Sequence, residues 1–251
     1  MLLDDCTAPT YLPFSLLQDI TNDFSDVQKI GRGGFATVYK GQLWNGSVAV
    51  KKLDANKILM DEEKFTNEVE CMMKVKHKNI VRFLGYCSEA HGRMSKCRGK
   101  NVMAEELHRL LCLEYLPNGS LDTHINACSG RLAWRERYQI IMGICEGLYH
   151  LHEKCILHLD LKPANILLDY NMEPKIADFG LARWFGEKQM SVITKDIVGT
   201  IGYMAPEYYS TGVMTYKSDI YSLGVMIMEI LTGEKELCTI ENVRGKIMWL
   251  P

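Results

Sequence analysis

The segment HLDLKPANILL brings Asp160, Lys162 and Asn165 together in one short stretch. A carboxylate, an amine and an amide in that order meet the needs of phosphoryl transfer to a hydroxyl. The carboxylate of Asp160 orients the attacking hydroxyl and takes its proton. The Lys162 ammonium faces the transferring phosphoryl group, and the Asn165 amide oxygen is a ligand for Mg2+. A second hard oxygen donor follows in KIADFG, where Asp178 completes the metal pair. A lone DFG is a weak signal. The ordered run of HLDLKPANILL, KIADFG and GTIGYMAPE is a strong one.

Upstream, GRGGFATV carries Gly31 and Gly33, with Ala36 at the place of a third glycine and Val38 after it. A glycine-rich hairpin lets backbone amides approach phosphate oxygens without interference from a Cβ. A dinucleotide fingerprint requires a helix next, whereas VYKGQL reads as strand, so the pattern favours a hairpin over phosphates. Glycine turns are common, and this one alone decides little. Lys51, in VAVK, follows apolar residues on a strand, which turns an amine inward at a cost unless it is paired. Glu68, on the helical face of Phe65 and Met72, is its candidate partner. Either residue by itself reads equally well as a surface charge.

The order GRGGFATV, VAVK, NEV, EYLPNGSL, HLDLKPAN, DFG, APE and SDIYSLG resembles protein kinases from about Phe14 to Gly233. LPNGSLD, HLDLKPANILL and GTIGYMAPEY are similar to plant receptor-like kinases, and Lys162 in DLKPAN to the Ser/Thr class. The resemblance implies ATP as phosphoryl donor, Mg2+ (or Mn2+) as cofactor, and protein Ser/Thr hydroxyls as acceptors. It implies a nucleotide site built from Ile30, Gly31, Gly33, Val38, Ala49 and Leu167, with Lys51 and Glu68 at the phosphates. Leu113 becomes the gatekeeper, and Glu114 to Leu116 the segment that contacts adenine. Asn165 and Asp178 become the metal ligands. Met72, His158 and Phe179 form a packed column, Asp219 anchors the catalytic loop, and His158 is structural rather than a general base.

The sequence departs from that pattern in places. Leu159 stands where many kinases have an arginine that receives an activation-loop phosphate, so a phosphate on Ser191 or Thr194 is expected to order the loop weakly. The stretch 88–108 is longer than the usual connection. The closing segment ELCTIENVRGKIMWLP does not resemble the late kinase helices, so the second lobe reads as incomplete and Glu207 is expected as a buried acid without its arginine. A catalytically weak, pseudokinase-like scaffold is therefore the alternative to an active enzyme. A small-molecule phosphotransferase is disfavoured by GTIGYMAPE, which looks like a platform for protein substrates.

The elements that must hold these residues give an α+β, bilobal expectation. Residues 1–24 read as a lead-in. Residues 25–116 read as a small β-rich lobe with one main helix, DEEKFTNEVECMMKV, acids Asp61 to Glu63 at its start and a long inserted loop at about 88–108. Asn45-Gly46 marks a hairpin. Residues 117–251 read as a helical lobe. There, Tyr138, Ile141, Cys145, Leu148 and His152 share one face of a helix, and SDIYSLGVMIMEIL is apolar nearly all round, a buried helix with Ser218 as its cap.

Composition agrees with a globular domain: 251 residues, 47% hydrophobic and 24% charged. A net charge of −2 does not mark a nucleic-acid binder. The nine cysteines are scattered without a CxxC pair and read as reduced thiols. The start, MLLDDCTAP, lacks the bases of a signal peptide, and the apolar stretch near Ser222 to Leu231 is too short to span a bilayer. The expected location is cytoplasmic, without membrane contact by this chain, or the cytoplasmic face of the plasma membrane within a membrane-spanning parent receptor.

Overall fold

The computed structural model describes residues 3–4, 7–54, 62–97, 100–125, 132–186 and 191–233. They divide into two compact units. One holds the residues up to Val69 together with Arg82–Tyr115, and the other holds Glu70–Val81 and the residues from Leu116 onward. The first is rich in β-sheet and the second is mostly helical, an α+β protein. Asp61, Arg244 and the segment ELCTIENVRGKIMWLP lie outside the described residues.

In the first unit, six strands form one sheet. They are β1 (Thr10–Tyr11), β2 (Lys29–Arg32), β3 (Ala36–Leu43), β4 (Gly46–Leu53), β5 (Phe83–Cys97) and β6 (Lys100–Glu114), in the spatial order β1-β5-β6-β4-β3-β2. The lead-in helix α1 (Phe14–Ile20) buries Leu17 against Leu12, Val48, Val50, Leu84, Cys87, Leu110 and Cys112. Helix α2 (Glu62–Met73) carries Glu62 and Glu63 in its first turn, where the helix dipole favours acids. Leu43 pairs with Gly46, so the β3–β4 turn is Trp44-Asn45, one residue earlier than the Asn45-Gly46 signal. Gly46 instead opens β4 with a φ of 151° that a side chain rarely adopts.

The expected loop at 88–108 is corrected. Strands β5 and β6 pair without a break from Ser88 opposite Arg109 to Cys97 opposite Lys100. Ala90, His91, Gly92, Met94, Asn101, Met103 and Glu105 are exposed, and a ribbon with so little buried surface gives no clear alternation of apolar and polar residues for periodicity to reveal. Met94 and Met103, paired across the ribbon, are both exposed.

The second unit contains α3 (Asp122–Ile125), α4 (Trp134–Glu153), α5 (Pro206–Thr211) and α6 (Tyr216–Thr232). Short strands pair between them: β7 (Ile156–Leu157) with β10 (Arg183–Trp184), β8 (Ile166–Leu168) with β9 (Pro174–Ile176), and β11 (Val192–Ile193) with β12 (Val213–Met214). The buried face of α4 is Ile140, Gly143, Ile144, Gly147, Leu148 and Leu151, while Tyr138 is exposed and Ile141, Cys145 and His152 are half-buried. The expected face is thus rotated by about one residue. The glycines explain it, because they let the helix back onto Asn79 and Pro174, and glycine contributes nothing to a hydropathy pattern. A Cβ at Gly143 would stand 2.6 Å from Pro174 Cγ and 2.7 Å from Asn79 Nδ2. Gly143→Ala is therefore expected to cost about 1–3 kcal/mol in urea unfolding. Gly224→Ala, at an exposed helical position with nothing within 4 Å, is expected to add about 0.5–1 kcal/mol. Equal midpoints for the two variants would contradict this packing.

Helix α6 is capped by Thr215, not Ser218. The Lys217 amide donates to Thr215 Oγ1 at 3.1 Å, and Ser218 Oγ accepts from the Thr215 amide at 3.2 Å, a reciprocal box. The helix buries Ser218, Asp219, Ser222, Leu223, Met226, Glu229 and Ile230, whereas Ile220, Met228 and Leu231 are exposed among the described residues. Glu207 is also exposed, in the first turn of α5 behind Pro206. The cost of a buried, unpaired acid does not arise at Glu207, which corrects that expectation.

Among the described residues, Cys71, Cys87, Cys112, Cys145 and Cys155 are free thiols. Burial pushes the Cys87 and Cys112 thiols up to about 12, so both behave as small hydrophobic residues.

Candidate active site

In the second unit the loop between β7 and β8 is shaped by a carboxylate on another element. Asp219 of α6 is fully buried. Its Oδ2 accepts from the His158 amide at 2.9 Å and its Oδ1 from the Leu159 amide at 2.8 Å. His152 Nε2 is 3.0 Å from Oδ2. These charge-assisted bonds hold Leu159 at a φ of 64°, a left-handed conformation costly for a leucine. The Leu159 side chain packs with Leu157, Phe185, Ala205, Tyr208 and Met214. The residue that replaces arginine is therefore a core residue. Asp219→Ala is expected to lower stability by about 2–4 kcal/mol, because two buried amides lose their acceptor. Urea unfolding reads the loss, and a wild-type midpoint would remove Asp219 from this role.

His158 is fully buried. Its Nδ1 accepts from the Asp160 amide at 3.3 Å, so Nε2 carries the proton and donates to Ala177 O at 3.0 Å. The Phe179 ring lies 5.4 Å away, edge-on. With both ring nitrogens on backbone, His158 has no nitrogen left for proton transfer to a substrate.

Asp160 sits at the centre of a network. Its Oδ2 is 2.7 Å from Lys162 Nζ and 2.9 Å from Asn165 Nδ2. Its Oδ1 accepts from Thr200 Oγ1 at 2.6 Å, and Lys162 Nζ also donates to Thr200 Oγ1 at 2.8 Å. Asn165 Nδ2 reaches Asp160 O as well, at 2.8 Å. Both groups facing that nitrogen are acceptors, which fixes the amide orientation and leaves Oδ1 as the outward oxygen. Thr200 shows that a hydroxyl fits against Asp160 Oδ1 at hydrogen-bond distance. Sequence reading gives Thr200 no role. Its only signal is a hydroxyl residue inside GTIGYMAPE, and packing alone brings it onto Asp160.

The backbone links Asn165 to Asp178, since the Ala177 amide donates to Asn165 O at 2.8 Å. Asp178 follows with a φ of 63° and an exposed side chain. A carboxylate and an amide oxygen are hard donors suited to Mg2+. No group of three or more His, Cys, Asp or Glu that would hold a metal occurs among the described residues. That donor set fits an ion that keeps waters and substrate phosphates as its other ligands. Leu116 is buried in this unit, and Leu167 is half-buried on β8, paired with Lys175.

In the first unit, Lys51 of β4 pairs across the sheet with Val38 of β3 and Leu111 of β6. Its Nζ lies 2.8 Å from Glu68 Oε1, with side chains only 14% and 6% exposed. Gly31 pairs with Val38, and the Gly33 amide closes a tight turn on Ala36 O at 2.8 Å. Ile30 is exposed, whereas Ala49 is buried opposite Leu113. The Glu114 carboxylate accepts from the Arg82 amide at 2.6 Å, so this side chain is engaged within the sheet.

The protein kinase domain model matches residues 24–248. Cysteine-rich receptor-like protein kinase 7 of Arabidopsis thaliana is 46% identical over 237 residues, which cover 92% of this chain and 33% of that protein. Cysteine-rich receptor-like protein kinase 25 of the same plant is 44% identical, over 88% of this chain and 31% of its own length. An Arabidopsis G-type lectin S-receptor-like serine/threonine-protein kinase is 43% identical, over 92% of this chain and 27% of its own. The chain spans about a third of the length of these curated relatives.

Proposed function

The chain belongs to the protein kinase domain family, and from that premise we propose how its residues divide the transfer of the ATP γ-phosphoryl group to a protein hydroxyl. Such a domain uses ATP and a divalent metal ion. The acceptor is a serine or threonine hydroxyl. Its oxygen bonds to the γ-phosphorus as the bond to the ADP oxygen breaks, and its proton passes to Asp160. Lys162 stands by Asp160 at 2.7 Å and brings positive charge to the transferring group. Asn165 Oδ1 and the Asp178 carboxylate would hold Mg2+ (or Mn2+), which when bound neutralises phosphate charge. Lys51, fixed by Glu68, binds phosphate oxygens, and the amides around Gly31 and Gly33 cover them. In the first unit, Ile30, Val38, Ala49 and Leu113 supply apolar contact to adenine, and Glu114 contributes backbone only.

The single observation that carries this reading is the Asp160 network, with Lys162, Asn165 and Thr200 all within 2.9 Å of its carboxylate oxygens. No observation favours a scaffold without activity, because each residue of the catalytic set is present. The relatives' names support a receptor-type signalling role, with the parent spanning the plasma membrane and this part on its cytoplasmic face. In this chain no described helix is long and apolar enough to cross a membrane. Acid hydrolysis of a protein substrate labelled from ATP tests the acceptor class. Phosphoserine and phosphothreonine are expected, and phosphotyrosine as the main product would contradict it.

A further inference from the structure

Arg109 of β6 is a buried cation outside the catalytic set, its side chain 5% exposed. Among the described residues, its Nε and Nη1 are buried with no hydrogen-bond partner. Its Nη2 donates to Glu62 Oε1 at 3.0 Å, and its Cζ lies 5.4 Å from the centre of the Phe65 ring. The ring face offsets part of the cost of the two unbonded groups. Glu62 is 82% exposed, and a pair with one partner in water adds little to stability. An apolar side chain of similar size would serve folding at least as well. Lys51 stands opposite Leu111 of β6, and Arg109 lies two residues from Leu111, so both cations belong to one face of the sheet. Helix α2 packs on that face. Its Phe65 is buried edge-on to Tyr86, which also stands opposite Leu111, with ring centroids 6.5 Å apart.

Helix α2 is thereby held at two points. Lys51 reaches Glu68 at 2.8 Å, and Arg109 reaches Phe65 and Glu62 on the preceding turns. At 1.5 Å per residue, Glu62 and Glu68 stand about 9 Å apart along the helix. One ion pair is a pivot about which a helix can turn, and a second anchor on the same face stops the rotation. We propose that Arg109 is a positioning residue, which fixes the rotation of α2 and so keeps Glu68 on Lys51. An arginine suits the task better than a lysine, because its planar fork lies over Phe65 while one nitrogen holds Glu62. The inference rests on the reading of Lys51 and Glu68 as the phosphate-binding pair.

The test follows Lys51 and turnover separately. Acetylation of Lys51 by acetic anhydride, read by mass spectrometry, reports how well Glu68 shields the amine, and Glu68→Gln sets the unshielded rate. Arg109→Met should raise Lys51 acetylation severalfold towards that rate. It should lower turnover about tenfold, the worth of one charge-assisted contact. Its urea midpoint should equal or exceed the wild type, because a buried charge with unbonded groups has gone. Arg109→Lys, which keeps a cation facing Glu62, should recover part of both losses. Added to Glu68→Gln, Arg109→Met should lower turnover no further, since both act through one pair. Glu62→Gln changes an exposed site and should shift both readouts in the same direction, so it decides the matter if Arg109→Met does not fold. Wild-type acetylation of Lys51 in the folded variants, or turnover losses that multiply in the double variant, would overturn the proposal. Raised acetylation with unchanged turnover would leave the positioning standing and overturn the phosphate-binding role of the pair.

Discussion

Asparagine at position 160 is expected to lower turnover by about 100- to 10,000-fold while ATP binding survives. The side chain keeps its size and one acceptor oxygen, so the bonds from Lys162 at 2.7 Å and Asn165 at 2.9 Å persist. Thr200 turns its hydroxyl to accept from the new amide in place of donating to a carboxylate. The proton acceptor is what disappears. An amide cannot take the proton of the attacking hydroxyl, and His158 cannot substitute, since both its nitrogens are on backbone. ATP binding is read from the rise in unfolding midpoint on adding MgATP, which should match the wild type. Near-wild-type turnover in Asp160→Asn would remove Asp160 from the role of base.

Lys51→Met should have the second-largest effect, about 100- to 1,000-fold on turnover. Methionine keeps the apolar stem and loses the charge. The stability cost is up to about 3 kcal/mol, because Glu68, at 4% exposure, loses the ammonium 2.8 Å away. A companion variant separates the two losses. Lys51→Met with Glu68→Leu removes both charges and should recover much of the unfolding midpoint without recovering turnover. Recovery of activity along with stability would show that the pair serves folding and not phosphate binding.

The chemistry-bearing residues are legible in the sequence because each is locally determined. Asp160, Lys162 and Asn165 fall in one loop, Asp178 follows a short strand, and Lys51 takes its inward direction from strand alternation. Glu68 is legible from helical spacing with Phe65, and the 2.8 Å pair follows from it. What escapes is set by long-range packing or by residues without a hydropathy signature. Thr200 reaches Asp160 across 40 residues of chain. Gly143 and Gly147 define the buried face of α4 by what they lack. Most described side chains of the outer β5–β6 ribbon are exposed, which leaves little apolar period to read, and Leu159 reads as a missing arginine until its place in the core is seen. Glu207 reads as a buried acid by analogy and is exposed, since the first turn of a short surface helix leaves it in water.

The most direct measurement is label transfer from γ-labelled ATP to a protein substrate in Mg2+, by the wild-type chain and by Asp160→Asn at equal concentration and with equal unfolding midpoints. The account predicts steady incorporation by the wild type, lost on chelation of the metal, and at least a hundredfold less by the variant. Incorporation at the same rate by both proteins, or by neither, would contradict it.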